Sequence, residues 1–340
     1  MKIASSKKYL IPAIIGLVLV IGLPFYFFFR SVSTSNETHY LYIDNDDTQD
    51  SVIAKIKPIA YPTAMAGLQT LLRHAGYADN IKTGRYAIKP GEGAITIFRH
   101  LRNGQQESLH LTIPETRTMD RLAAILGKRL MTDSATIASA LYSQEVCEKL
   151  GYDTCTIPAL FIPNTYDIYW NISIDGLLER MQKEHDRFWK ERQARVDILQ
   201  LTPNEVATLA SIIDEETANN SEKPMIAGMY INRLKAGMPL QADPTIKFAL
   251  KDFALKRIYN KLLKTDSPYN TYVHEGLPPG PIKIASIKGI DAVLNYVEHD
   301  YLYMCAKEDF SGTHNFAKTY AEHLQNAAKY TKALNERGIK

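Results

Sequence analysis

Twenty consecutive residues, Leu10 to Phe29, carry no charge and are mostly apolar. As a helix this run is about 30 Å long, the thickness of a bilayer's hydrocarbon core. A chain that begins this way must place the run in a membrane, bury it or lose it by cleavage. Lys2, Lys7 and Lys8 precede the run, which favours a cytoplasmic N-terminus and an extracytoplasmic remainder. Ser31-Val32-Ser33 is similar to a small-x-small cleavage site, but the apolar core of a signal peptide is usually only about 7–15 residues. The expectation is a single-pass anchor over residues 10–29, with residues 1–9 in the cytoplasm and the rest on the periplasmic side of the inner (cytoplasmic) membrane. Pro12 and Pro24, near its ends, are tolerable in a spanning helix.

At 340 residues and 45% hydrophobic content, the chain can bury more than one core. The net charge of +3 does not describe its main body, because Lys2, Lys7, Lys8 and Arg30 lie in a segment without acids and leave 36 basic against 37 acidic residues. Nothing there supplies the basic face that nucleic acid requires. Neither His-Glu-x-x-His nor a Cys/His cluster occurs, so no metal and no cofactor is expected. Of the cysteines, Cys147 and Cys155 either close a short loop through Gly151-Tyr152-Asp153 or remain thiols, and Cys305 is expected free and buried.

The periodicities predict an α+β molecule. Residues 30–50 read as a polar tether. Residues 51–110 form a small α+β subdomain, with a strand, a helix around Ala64 to Ala75, a turn at Pro90-Gly91 and a helix from Ile95 to Gly104. Residues 111–340 form a larger mixed domain. Its predicted helices are Asp120–Leu130, Asp133–Leu150, Ser286–His299 and Ala317–Glu336, with a strand at Leu302–Ala306. A long charged helix, Asp175–Leu199, has alternating signs and reads as the most solvated segment.

Leu201 to Thr245 is the most information-dense stretch. Thr202 caps a helix, Pro203 fits its first position, and Glu205 completes a capping box. Val206, Leu209, Ala210 and Ile213 recur at helical spacing and define a packed face. At about 100° per residue, Glu216 falls roughly 70° from the centre of that face, Asp214 roughly 90° on the other side, and Glu215 nearly opposite. Glu215 therefore reads as the solvated one. A carboxyl at the rim of an apolar face is where desolvation holds the proton on, as a general acid at neutral pH requires.

Six ordered blocks extend this reading: Ala210 to Thr217, Asn232-Arg233-Leu234, Leu240 to Thr245, Tyr269 to Tyr272, Gly276 to Ile282 and Gly312 to Phe316. Together they resemble the YceG-like family of endolytic murein transglycosylases (the MltG type), over about Gly84 to Asn335. Two positions depart from the family pattern. Asp214 is one methylene shorter than the acid often found there, and neutral Asn164 stands where an Asp is usual.

The resemblance implies a membrane-anchored lytic transglycosylase with Glu216 as its catalytic residue. The acid protonates the glycosidic oxygen between N-acetylmuramic acid and N-acetylglucosamine; the resulting carboxylate then takes the proton of the muramic acid 6-hydroxyl, which closes a 1,6-anhydro ring. It also implies that residues 51–110 are LysM-like, that the protein cuts nascent peptidoglycan strands and ends their elongation, and that a peptidoglycan synthase or a divisome or elongation complex is a partner. Asn232, Gln241, Asn270 and Thr271 have the hydrogen-bonding chemistry for the substrate's acetamido and hydroxyl groups. Arg233 is suited to an acid or to a peptide-stem carboxylate. Two alternatives stay open: a muramidase that hydrolyses with water, using Asp214 or Asp243 as second carboxylate, and a non-catalytic glycan-binding scaffold.

Overall fold

The computed structural model describes residues 6–255 and 258–338. The chain divides into two units. The first holds the residues up to Leu111 with Arg129–Thr132 and Asp167–Ile172, and the second holds Thr112–Lys128, Asp133–Tyr166 and the residues from Ser173 onward.

The first unit contains α1 (Ser6–Phe28), β1 (His39–Ile43), α2 (Gln49–Ile56), α3 (Pro62–His74), β2 (Gly84–Ile88) and α4 (Ala94–Asn103). The two strands pair antiparallel, His39 opposite Ile88 and Ile43 opposite Gly84. Their inner faces and the helices enclose a core that includes Val32, Ile43, Val52, Ile56, Leu68, Leu72, Ile97 and Leu101. Tyr86 belongs to that core, with its hydroxyl donating to the Lys82 carbonyl at 2.8 Å. The end of α1 packs so closely on α3 and α4 that only glycine fits at the contacts: a Cβ on Gly67 would lie 2.1 Å from the Phe27 oxygen, and one on Gly93 2.7 Å from the Phe28 oxygen. Large apolar side chains described elsewhere in α1 are exposed, Leu17 at 60%, Val20 at 71% and Phe25 at 61%. Among the residues whose side chains are described, which in α1 leave out 6–10, 13 and 18, no helix is long and apolar enough to cross a membrane.

Residues 30–50 are not a tether. Val32 is fully buried, its N–H donates to the Glu92 carbonyl and its carbonyl accepts from Tyr61, and β1 follows directly. The polar composition misleads because these side chains serve local backbone: Ser33 Oγ accepts from the Ser35 N–H, and Asp47 from the Asp44 N–H.

Strand β3 (Leu109–Ile113) pairs with β4 (Asn164–Ile168). The second unit is built from α5 (Met119–Gly127), α6 (Ser134–Leu141), α7 (Gln144–Lys149), α8 (Ile174–Lys190), α9 (Gln193–Leu199), α10 (Pro203–Glu216), α11 (Lys223–Lys235), α12 (Asp243–Leu250) and α13 (Ile287–Leu294). A hairpin of β5 (Tyr303–Ala306) and β6 (His314–Ala317) and the terminal α14 (Tyr320–Glu336) complete it.

Two predicted helices are each broken in two. Between α6 and α7, Ser143 starts a new helix by accepting from the Val146 N–H. Between α8 and α9 the chain turns at Glu191–Arg192. Nor is α8 the most solvated segment, since Leu177, Met181, His185 and Trp189 recur every fourth residue and are buried. The alternating charges on its other face hid that stripe. The three cysteines are unpaired; Cys147 is buried and Cys305 is only half-buried.

Candidate active site

Helix α10 forms as the sequence dictates: Thr202 Oγ1 accepts from the Glu205 N–H and the Glu205 carboxylate accepts from the Thr202 N–H. Every residue from Val206 to Ile213 is buried, so the helix is the centre of its unit. Ser211 Oγ, also buried, donates to the Thr208 carbonyl and accepts from the Ile282 N–H at 3.0 Å, which fixes the loop of residues 276–282 against the helix. Three consecutive carboxyls then emerge from its last turn into three different surroundings.

Asp214 is 2% exposed at its side chain and forms an ion pair with Lys223 Nζ at 2.7 Å. It also accepts from the N–H of Ser286 at 2.6 Å and from its hydroxyl at 2.8 Å. Gly289 permits this approach, because a Cβ there would meet Asp214 Oδ1 at 2.5 Å.

Glu215 corrects the sequence reading. Instead of facing water it is 15% exposed and meets Arg117 through two nitrogens, Nε at 3.0 Å and Nη2 at 2.7 Å, with Lys283 at 3.6 Å. The segment carrying Arg117 covers the side of α10 that periodicity assigns to solvent, and helical periodicity carries no information about a distant segment.

Glu216 opens into a cleft of about 450 Å³. Its Oε1 accepts from Tyr230 Oη at 2.9 Å, and among the described residues no cation lies within ion-pair distance. Burial raises its pKa to about 7; the Tyr230 hydrogen bond and the Lys247 charge oppose this, and the Asp243 and Glu215 charges add to it. Tyr230 is itself buried, and the same desolvation, with Glu216 beside it, pushes the phenol well above its ordinary value, so it remains a neutral donor. On another side of the cleft Asp243 accepts from Tyr272 Oη at 2.5 Å. The facing wall comes from Met304 and Cys305 of β5, His314 of β6 and Tyr320 and His323 of α14. Glu222 holds that wall in place by accepting from both the backbone N–H and Nδ1 of His314, at 2.7 and 2.9 Å.

Of Asn232, Gln241, Asn270 and Thr271, the structure brings Gln241 alone into the cleft with Glu216. Gln241 is held in the left-handed region, φ 54°, with its N–H bonded to the Thr271 carbonyl. Asn232 Nδ2 donates to the carbonyls of His299 and Tyr301, at 2.6 and 3.1 Å. Asn270 is buried; its amide donates to Leu263 and Thr265 and its oxygen accepts from the Tyr272 N–H. Thr271 Oγ1 accepts from the Ala242 N–H and meets Thr245 Oγ1. Arg233 lines the cleft but pairs with no acid among the described residues; it donates to the carbonyls of Leu302, Pro239 and Leu240.

Sequence reading missed Tyr230 and Tyr272 as partners of the two cleft carboxyls. Tyr230 was legible only as an apolar position of a helix, and Asp243 as the candidate second carboxylate of a muramidase, with nothing in the sequence to pair either with its partner. Among the described residues no group of three or more His, Cys, Asp or Glu side chains is placed to hold a metal ion.

Curated relatives share this chain's sequence at modest identity. It is 28% identical over 276 residues to an endolytic murein transglycosylase of Bacillus subtilis strain 168, covering 76% of each chain. It is 26% identical over 288 residues to one from Streptococcus pneumoniae serotype 2, where it spans about half of the relative's length, 52%. A crystal structure of a YceG-like protein of Listeria monocytogenes superposes with a TM-score of 0.55 at 24% identity, over 86% of this chain and 99% of that one, and so shares the fold. The YceG-like family model matches residues 41–329, which reaches further toward the N-terminus than the motifs alone. On that match, which spans most of its length, the chain belongs to the YceG-like family.

Proposed function

We propose that the protein is a lytic transglycosylase of peptidoglycan glycan strands, with Glu216 as both acid and base. The observation that carries this is a carboxyl in the cleft, sheltered from water, whose hydrogen bond among the described residues is to the neutral phenol of Tyr230; burial raises its pKa to about 7. Protonated, Glu216 delivers its proton to the glycosidic oxygen between N-acetylmuramic acid and N-acetylglucosamine. As the carboxylate, it removes the proton of the muramic acid 6-hydroxyl, and the hydroxyl closes the 1,6-anhydro ring. Tyr230 stabilises the carboxylate between the two steps. An intramolecular hydroxyl is already in place, so no second carboxylate is needed to activate water. Gln241 is the proposed substrate contact, and Asn232, Asn270 and Thr271 act as positioning residues that hold the loops around it. The relatives named as endolytic murein transglycosylases support this reading.

Hydrolysis is the second reading, because Asp243 lies in the same cleft and a muramidase uses two carboxyls. Asp214 is committed to Lys223 and Ser286 and does not serve. Digestion of purified glycan strands and analysis of the new ends decides: 1,6-anhydro ends support the transglycosylase, reducing ends the muramidase, and no new ends a scaffold.

We further propose that α1 anchors the protein in the inner membrane with its N-terminus cytoplasmic and its second unit outside. The full run Leu10–Phe29 is uncharged, and its described apolar side chains stand exposed where lipid would cover them. The strand–helix–helix–strand order of β1, α2, α3 and β2 supports a LysM-like spacer, with Tyr86 serving its core. An anchored, endolytic enzyme of this kind meets strands near their synthesis, which is the basis for proposing that it terminates elongation beside a peptidoglycan synthase.

A further inference from the structure

A second cleft, of about 600 Å³, opens beside Glu215 on another side of the helix end that carries Glu216. Its lining is cationic on balance: Arg117, Arg121 and Lys283 against Glu115 and Glu215. The pairing leaves one cation over. Lys283 bridges Glu115 at 3.3 Å and Glu215 at 3.6 Å, and Arg117 forks onto Glu215, whereas Arg121 is exposed on α5 and has no partner among the described residues. A second, independent feature points the same way. Thr116 is 6% exposed, lines the cleft, and its hydroxyl has no hydrogen-bond partner among the described residues. A buried hydroxyl left alone costs free energy, and a ligand oxygen that reaches it as the lining gives way would remove that cost. Phe253, with the Arg117 guanidinium 5.3 Å from its ring centroid, gives the cleft an apolar wall.

We propose that this cleft binds the carboxylate of a peptide, and that in the cell the peptide is the stem carried by the glycan substrate. Among the described lining residues the net charge is one, which suits a single carboxylate better than a phosphate or a polyanion, and Arg121 offers the planar fork that a carboxylate takes. Phe253 suits a small apolar side chain next to that carboxylate. The identity of the peptide as substrate stem rests on the transglycosylase reading, whereas the carboxylate site itself does not.

The test uses the full-length chain and a free stem peptide, titrated by calorimetry in four proteins or ligands: wild type, Arg121→Ala, Glu216→Gln, and wild type with the peptide's carboxylates amidated. Among the described residues Arg121 has no partner to leave unpaired, so its removal is expected to leave the fold intact. Saturable binding that weakens about tenfold in Arg121→Ala and on amidation, and is unchanged in Glu216→Gln, is the expected result. Absence of saturable binding, or binding indifferent to Arg121, overturns the site. Cleavage then separates the two ideas: Arg121→Ala should raise KM on peptide-bearing strands without changing cleavage of amidase-stripped strands, while Glu216→Gln should be inactive on both. Equal effects of Arg121→Ala on the two substrates contradict the stem assignment, and activity in Glu216→Gln contradicts the transglycosylase reading alone.

Discussion

Asp214 and Glu216 stand two residues apart on one helix turn, yet their surroundings make them different chemical objects. Asp214 has a lysine at 2.7 Å and two donors from Ser286, so its charge is neutralised and its oxygens are occupied. Glu216 has one neutral donor, and burial works against its charge. The difference is the partner, since both carboxyls are sheltered from water. A buried carboxyl given a cation becomes a structural ion pair; one given only a phenol keeps its proton to about neutral pH and is available for transfer.

The largest effect expected from disturbing this contrast is in Glu216→Gln. Loss of a general acid removes about 10²–10⁴ of rate, and here the same group is also the base, so cleavage should fall to background. Stability should move in the opposite direction. Glu216 has a folded pKa of about 7 against an ordinary 4.5, so the folded state keeps a proton that the unfolded chain gives up, and stability falls as pH rises between those values. Above pH 7 the glutamine variant should therefore be the more stable protein, by on the order of 1–3 kcal/mol, with the gap closing below about pH 4.5. Denaturant melts across that range check it.

Asp214→Asn should reverse the pattern. It leaves Lys223 buried without a counter-charge, which costs about 3–5 kcal/mol, while the folded fraction keeps its cleavage rate; a lower denaturation midpoint with unchanged specific activity is the outcome sought. Tyr230→Phe is intermediate. Removing the donor that favours the carboxylate pushes Glu216 above 7, so the alkaline limb of the rate profile should move to higher pH while kcat drops about tenfold. Glu215→Gln should do least, within about 1 kcal/mol of stability, because its arginine partner is half exposed, and cleavage of peptide-free strands should persist.

How much of this was legible in the sequence follows the same division. The cap of α10 is a local consequence of residues within one turn of each other and forms as the letters imply, whereas the helix is buried on all sides from Val206 to Ile213 rather than along one face. The fork from Arg117 to Glu215 and the donor Tyr230 depend on segments that meet only after folding. Helices failed in the same way: the every-fourth-residue stripe of α8 was present in the letters, but alternating charge drew attention to the wrong face. The expected tether failed because serine and aspartate side chains that look solvated in a list of residues are bonded to their own backbone. Of the residues expected at the substrate, those with the richest hydrogen-bonding chemistry, Asn232 and Asn270, spend it on carbonyls of the protein.

The central claim is that Glu216 carries its proton at neutral pH because it is desolvated and, among the described residues, no cation lies at ion-pair distance. The most direct measurement is a titration of the side-chain carboxyl by NMR in protein labelled with ¹³C-glutamate, the resonance assigned by its loss in Glu216→Gln. A midpoint near 7, moving upward in Tyr230→Phe, is the result predicted. A midpoint in the ordinary carboxylate range, near 4.5, in an enzyme that still cleaves glycan would contradict it.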